Sequence, residues 1–305
     1  MPGKSHQGPL EPLSVAQRTL ETRLRAHVTV LARDIGERNV ATPERLTSAR
    51  DYVRGQLESF AGGKKERVTL EPLGLNGAHA DNVIYEIPGD PQSIVVVGAH
   101  YDSAEGTPGA NDNASGTAAA LELARHFSKT PPKSTLRFVL FANEEPPYFQ
   151  NEGMGSLTNA RNAQRRGDPI RAMFALETLG TYSDEPGSQK YPWPIGLLYP
   201  DRGNFVAFVG NLGSRSLVRQ SIGTFREHAA FPSEGAALPA TFPGVDWSDH
   251  WAFWQAGYPG IMVTDTAVYR DENYHHASDT IGHLSYDKLA LVVDGLTAVI
   301  AEQAQ

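Results

Sequence analysis

The chain has 305 residues, of which 40% are hydrophobic and 20% charged, a balance ordinary for a globular protein with room for a large core. Its formal net charge of −8, with Lys and Arg scattered along the chain, argues against nucleic acid as a partner. It has no cysteine, so disulfides and thiolate metal sites are excluded and any metal must take nitrogen and oxygen ligands.

Residues 1–15 are polar and rich in Pro and Gly, and they read as a flexible tail. They lack the apolar core of a secretory leader, and the chain contains no apolar run long enough to span a membrane. A cytoplasmic protein is expected, or the processed form of a secreted one, in either case without a membrane partner. Leu20, Leu24, Val28 and Leu31 then recur at helical spacing. Thr42-Pro43-Glu44 opens a second helix that runs to about Phe60, with Pro at the first helical position. Strands follow at Arg67–Leu70 and Asn82–Ile87.

Ile94–Ala99 is a continuous apolar run, as expected of a strand buried on both faces. Gly116–Phe127 reads as a helix, Leu136–Ala142 as a strand, and a further helix follows Gly153. Met173–Leu176, Phe205–Val209 and Ile261–Thr264 complete the strands, and Ser285–Glu302 is an amphipathic last helix. Alternating strands and helices imply an α/β sandwich with a mostly parallel sheet, whose ligands bind at the carboxyl ends of the strands. Residues 16–305 read as one domain. Two Pro-rich segments, about 183–204 and 229–247, interrupt the pattern as pocket-forming loops. Tyr191, Trp193 and Tyr199 in the first are candidate substrate-binding residues.

His100, Asp112, Glu145, Glu177 and His275 each fall at or just past a strand end. Singly, each has an ordinary structural reading: a core histidine, a helix cap at Asp112, a surface turn at Glu144-Glu145. Together, imidazoles and carboxylates form the donor set that binds divalent zinc in hydrolytic sites. Five ligands, one able to bridge, suit two ions about 3.5–4 Å apart. Glu144 is then a spare carboxylate where a general base is needed. Asp102, two residues after His100, can accept from the far ring nitrogen and fix the tautomer. Asp279 is placed to orient the loop of His275. Ser248-Asp249-His250 reads as a helix cap in preference to a supporting role, and His126, His228 and His283 receive no role. No phosphate loop and no serine-nucleophile elbow is present.

The ordered motifs Ala99-His100-Tyr101-Asp102-Ser103, Gly109 to Gly116, Ala142-Asn143-Glu144-Glu145, Ala175 to Gly180 and Tyr274 to Thr280 resemble metallopeptidase family 28, over roughly residues 20–303. That family comprises zinc aminopeptidases and also includes glutamate carboxypeptidases and glutaminyl cyclases. The resemblance implies a three-layer phosphorylase/hydrolase-like sandwich with a mixed central sheet. It implies one zinc on Asp112, Glu145 and His275 and another on His100, Asp112 and Glu177, with Asp112 bridging, Glu144 as general base and Asp102 supporting His100. The implied activity is removal of N-terminal residues from peptides by a metal-activated hydroxide. A single-zinc cyclase, a carboxypeptidase using Arg202, Arg215 or Arg219 for the substrate carboxylate, and a non-catalytic binding domain are the alternatives. Three features depart from the family pattern: Glu177 stands where an Asp is usual, Asn111 replaces the first of two aspartates, and Pro146-Pro147 follows the acid pair.

Overall fold

The computed structural model describes residues 1–74 and 80–305. Helix α1 (Val15–Val28) starts at a reciprocal cap, in which the Ser14 hydroxyl accepts from the Gln17 backbone and the Gln17 side chain accepts from Ser14 N–H. It continues as a wider turn over Thr29–Ile35. Helix α2 (Pro43–Phe60) has Pro43 in its first turn as expected. Thr42, however, does not cap it; its hydroxyl closes the preceding turn through Glu37 and Asn39.

Strands β1 (Val68–Pro72), β2 (Asp81–Ile87) and β3 (Asp90–His100) precede helix α3 (Gly116–Phe127). Strand β4 (Ser134–Phe141), helix α4 (Gly155–Arg166) and strand β5 (Ile170–Glu177) follow. Then come β6 (Val206–Asn211), α5 (Arg215–His228), β7 (Ser233–Leu238), α6 (His250–Gln255), β8 (Gly260–Thr264) and α7 (Tyr286–Gln303). The sheet order is β1-β2-β4-β3-β5-β8-β6-β7. Its centre, β4-β3-β5-β8, is parallel, while β1, β2 and the β6–β8 pair are antiparallel to their neighbours.

Alternation along the central strands explains the three layers. Val95, Val97 and Ala99 of β3 face one core, with α1, α2, α3, α5 and α7; Ile94 and Val96 face the other, with α4 and α6. Strand β7 lies inside a segment expected to be a loop. Ser-Glu-Gly-Ala-Ala-Leu carries no β-branched residue, so its strand state comes from pairing with β6 rather than propensity. The first residues, expected to be loose, are tied to that edge: Ser233 N–H donates to Ser5, and Arg226 donates to the carbonyls of Pro2 and Gly3. Among the described residues, no helix is long and apolar enough to cross a membrane.

One buried charge ties α1 to α3. The Glu122 side chain is 1% exposed and accepts from Arg23 at 2.7 Å, Arg125 at 2.8 Å and His27 at 3.3 Å. Burial raises its pKa, but the hydrogen bonds from His27, Arg125 and Arg23 outweigh this and hold it at about 2, against the usual 4.5. A depressed folded pKa stabilises above the unfolded value and is lost as pH falls through the folded one. We expect Glu122→Gln to cost about 2 kcal/mol at pH 7, less than a fully buried pair because both arginines reach solvent. The deficit should fade between about pH 4.5 and 2 in urea titrations; equal stability of the two proteins at pH 7 would contradict it.

Candidate metal centre

The sheet topology collects the candidate ligands at one edge. His100 ends β3, Glu177 ends β5, and β4 runs out into Asn143-Glu144-Glu145. Asp112 sits in the turn Ala110–Ser115 that feeds α3, and His275 in the loop before α7. His100 Nε2 lies 3.3 Å from Asp112 Oδ1 and 3.2 Å from Glu177 Oε2. His275 Nε2 lies 3.0 Å from Asp112 Oδ2 and 3.1 Å from Glu145 Oε2. Asp112 therefore gives one oxygen to each trio. Donors about 2.0–2.1 Å from a tetrahedral zinc lie roughly 3.3 Å apart, so both trios have the spacing of a metal's coordination shell. His100, Glu144 and Glu145 also approach one another, but Glu144 is 3.8 Å from His100 Nε2, farther than either Asp112 or Glu177.

The donors fit cations on a second ground. His100 Nε2, Asp112 Oδ1, Glu145 Oε1 and His275 Nε2 are buried without a hydrogen-bond partner. Buried polar atoms cost free energy unless something satisfies them, and here they converge. The protonation pattern agrees. Burial, then Asp112, raise Glu145 to about 7, and burial pushes Glu144 well above the usual carboxylate range. Burial opposes charge on His275, but the carboxylates of Asp112 and Glu145 close to its ring lift it to about 10. Excess negative charge is crowded into a dry site, and protons gather where metal ions would otherwise neutralise it.

Around the ligands, buried groups fix geometry. Asp102 accepts from the backbone N–H of both Glu144 and Glu145, each at 3.3 Å, and lies 3.5 Å from His100 Nδ1. It thus holds the acid pair as much as the imidazole. Asp279 accepts from Asn111 N–H at 2.8 Å and Asp112 N–H at 3.0 Å, and its own N–H donates to His276 O, so it ties the loop of His275 to the turn of Asp112. Asn113 staples that turn to β5: its amide donates to Leu176 O, and its oxygen accepts from Gly116 and Thr178. Gly116 is required there, because a Cβ would collide with Leu176 O. Thr178 and His275 both hold left-handed backbone, at φ 45° and 61°, a strained state for non-glycine residues that recurs at functional sites. His276, the neighbour of His275, is exposed.

Further groups support the candidate ligands. The Ser248 hydroxyl donates to Glu177 Oε2 at 2.7 Å, and the Asp249 side chain makes no capping hydrogen bond to α6, so the capping expectation fails and the supporting role stands. His283 is not isolated: it lies 3.2 Å from Asp271 and 3.5 Å from Asp279. Fully buried Arg38 donates to the carbonyls of Tyr101 and Gly109, tying the loop after β3 to the Asp112 turn.

Beside the candidate ligands opens a cleft of about 870 Å³, counting the part open to solvent, lined by Tyr191, Tyr199, Phe205, Phe242, Met262 and Tyr269 among others. Glu177, Trp247 and Tyr274 border both the cleft and the acidic site. Trp193 does not line it: the side chain is 87% exposed, because the chain turns outward there while Tyr191 and Tyr199 pack together. No Arg or Lys borders either space among the described residues, so Arg202, Arg215 and Arg219 do not form a carboxylate-binding wall.

The pattern of Peptidase family M28 matches residues 82–300, well over half of the chain. The chain belongs to this family. A relative from Escherichia coli K12, the uncharacterized protein YfbL, is 37% identical over 287 residues, covering 91% of this chain and 87% of its own. A probable zinc metalloprotease from Pyrenophora teres is 29% identical, over 77% of this chain but 53% of its own length, so the chain spans about half of that relative. In structure the chain is similar to BSAP, a zinc aminopeptidase from Bacillus subtilis, with a TM-score of 0.69 at 18% identity, covering 92% of this chain and 94% of that one. Membership of family M28 places the protein among the zinc-dependent peptidases, and the buried N/O donor set fits that metal.

Proposed function

We propose that the protein is an exopeptidase that removes N-terminal residues from peptides and holds two zinc ions. Asp112, Glu145 and His275 would hold one ion, and His100, Asp112 and Glu177 the other. The observation that carries this reading is the shared Asp112, whose two oxygens each face a separate imidazole. Charge supports two ions as well: Asp112, Glu144, Glu145 and Glu177 together match two divalent cations when the imidazoles are neutral. When bound, zinc supplies Lewis acidity and lowers the pKa of water.

The remaining work falls to the chain. Glu144 belongs to neither best trio, yet stands beside both. Its burial suits a carboxylate that takes a proton from the attacking water and gives it to the leaving amine. Asp102 fixes its backbone. A free α-amine suits the acidic edge at Glu177, and the substrate's first side chain enters the apolar cleft. Among the described residues neither space has a lysine or arginine, which disfavours a carboxypeptidase. The complete second trio disfavours single-zinc cyclisation.

Release of an aminoacyl reporter should exceed release from its N-acetyl form by about 100-fold or more, because the blocked substrate leaves buried carboxylates unpaired. Equal cleavage of the two forms would make the enzyme an endopeptidase or carboxypeptidase. Faster cyclisation of an N-terminal glutamine peptide would make it a cyclase.

A further inference from the structure

The cleft has one charged group at its far wall. Glu234 lies on edge strand β7 and lines the same space as Glu177. Register places the two at one level of the sheet: Glu177 pairs with Thr264, Thr264 with Ala207, and Ala207 with Glu234. Residues in register across a sheet share a face, so both carboxylates belong to the cleft side. Three interstrand steps of about 4.8 Å put their backbones roughly 14 Å apart.

Glu234 makes no hydrogen bond within the protein among the described residues, although its side chain is only 23% exposed. Arg226 approaches to 3.7 Å, but its guanidinium is engaged by the backbone carbonyls of Pro2, Gly3 and Ser233 and by the Ser233 hydroxyl. Thr264 and Ala207 stand in the row between Glu177 and Glu234, and the rest of the cleft lining is mostly apolar, with Phe205, Val209, Leu238, Met262 and Tyr269 among it. Arg226 and the Met1 amine offset part of the cost of burying the Glu234 carboxylate, but neither gives it a hydrogen bond.

We propose that Glu234 is a specificity-determining residue, and that the cleft takes substrates whose first residue is lysine or arginine. The inference rests on the exopeptidase reading above. With its α-amine at Glu177, an extended lysine carries its ammonium about 7 Å further along the cleft. Adding a hydrogen bond at each end, this length is of the order of the space between the two carboxylates. The methylene stem covers the apolar walls while the cation reaches the far end. An uncharged side chain of equal length leaves Glu234 without a hydrogen-bond partner, and an acidic one is repelled by it.

The test compares tripeptides that start with lysine, norleucine or glutamate, each free and N-acetylated, on the zinc-loaded enzyme and its Glu234→Gln variant. We expect kcat/KM for the lysine peptide to exceed that for norleucine by about tenfold or more, with the glutamate peptide poorest. In Glu234→Gln the lysine advantage should fall to within about twofold of norleucine, because lysine loses its partner and norleucine no longer faces a buried charge. Lysine and norleucine peptides cleaved alike by the parent enzyme, or an advantage unchanged in the variant, would overturn the role of Glu234. Equal cleavage of free and acetylated forms would overturn the exopeptidase reading instead. A lysine preference that persists on acetylated peptides and vanishes in the variant would still assign the cleft to a basic side chain.

Discussion

Replacing Glu144 by Gln is expected to leave the fold and the metal content intact and to lower kcat by about 10²–10⁴-fold, the range for losing a general base. The amide keeps the size of the side chain but cannot take a proton. Its backbone anchor, Asp102, is untouched, and neither imidazole uses Glu144 as its nearest oxygen. Glu145→Gln separates the two acids. That side chain lies 3.1 Å from His275 Nε2 and belongs to a coordination trio, so its loss should show in bound metal before turnover is considered. Steady-state kinetics beside metal content would distinguish the pair. Near-normal turnover in Glu144→Gln would remove it from the reaction.

The second large effect is expected at Asp112. It alone contributes an oxygen to each trio, through contacts of 3.3 and 3.0 Å. Asp112→Asn should therefore empty both sites and abolish activity, a loss of about 10³-fold or more. His100→Ala, by contrast, should empty only the site shared with Glu177. The ordering matters, because a site built from two independent shells would lose one ion in either variant. Glu177 adds a graded case. Its extra methylene, relative to the aspartate usual in the family, is absorbed by a hydrogen bond from Ser248 at 2.7 Å. Shortening it to Asp draws the carboxylate away from that hydroxyl and should change the affinity of one ion while the Asp112/Glu145/His275 shell stays filled.

The candidate ligands could be read from the sequence because each breaks a local rule. An acid or a histidine at the end of a run such as Ile94–Ala99 or Met173–Leu176 would be buried and costly alone, so it demands a counter-charge. The α/β alternation likewise announced where the strand ends would meet. Some supports were invisible for the opposite reason. Arg38, Asn113 and His283 break no local pattern, and Arg38 and Asn113 find partners 71 and 63 residues away; Ser248 stands in a polar cluster visible in the sequence, but its partner is also 71 residues away. Such contacts are set by the sheet order. Strand β7 lacks β propensity and exists through pairing with β6, which is also what brings Glu234 to the cleft. Trp193 misled because an aromatic residue beside two cleft-lining tyrosines looks like a third, yet the turn at Pro194 faces it outward.

The central claim is a paired metal site organised by one shared carboxylate. Elemental analysis of the zinc-reconstituted, dialysed protein and of Asp112→Asn, with far-UV circular dichroism to show both folded, tests it most directly. About two zinc ions per chain are expected in the parent and close to none in the variant. One ion per chain in the parent, or a folded variant that keeps an ion, would contradict it.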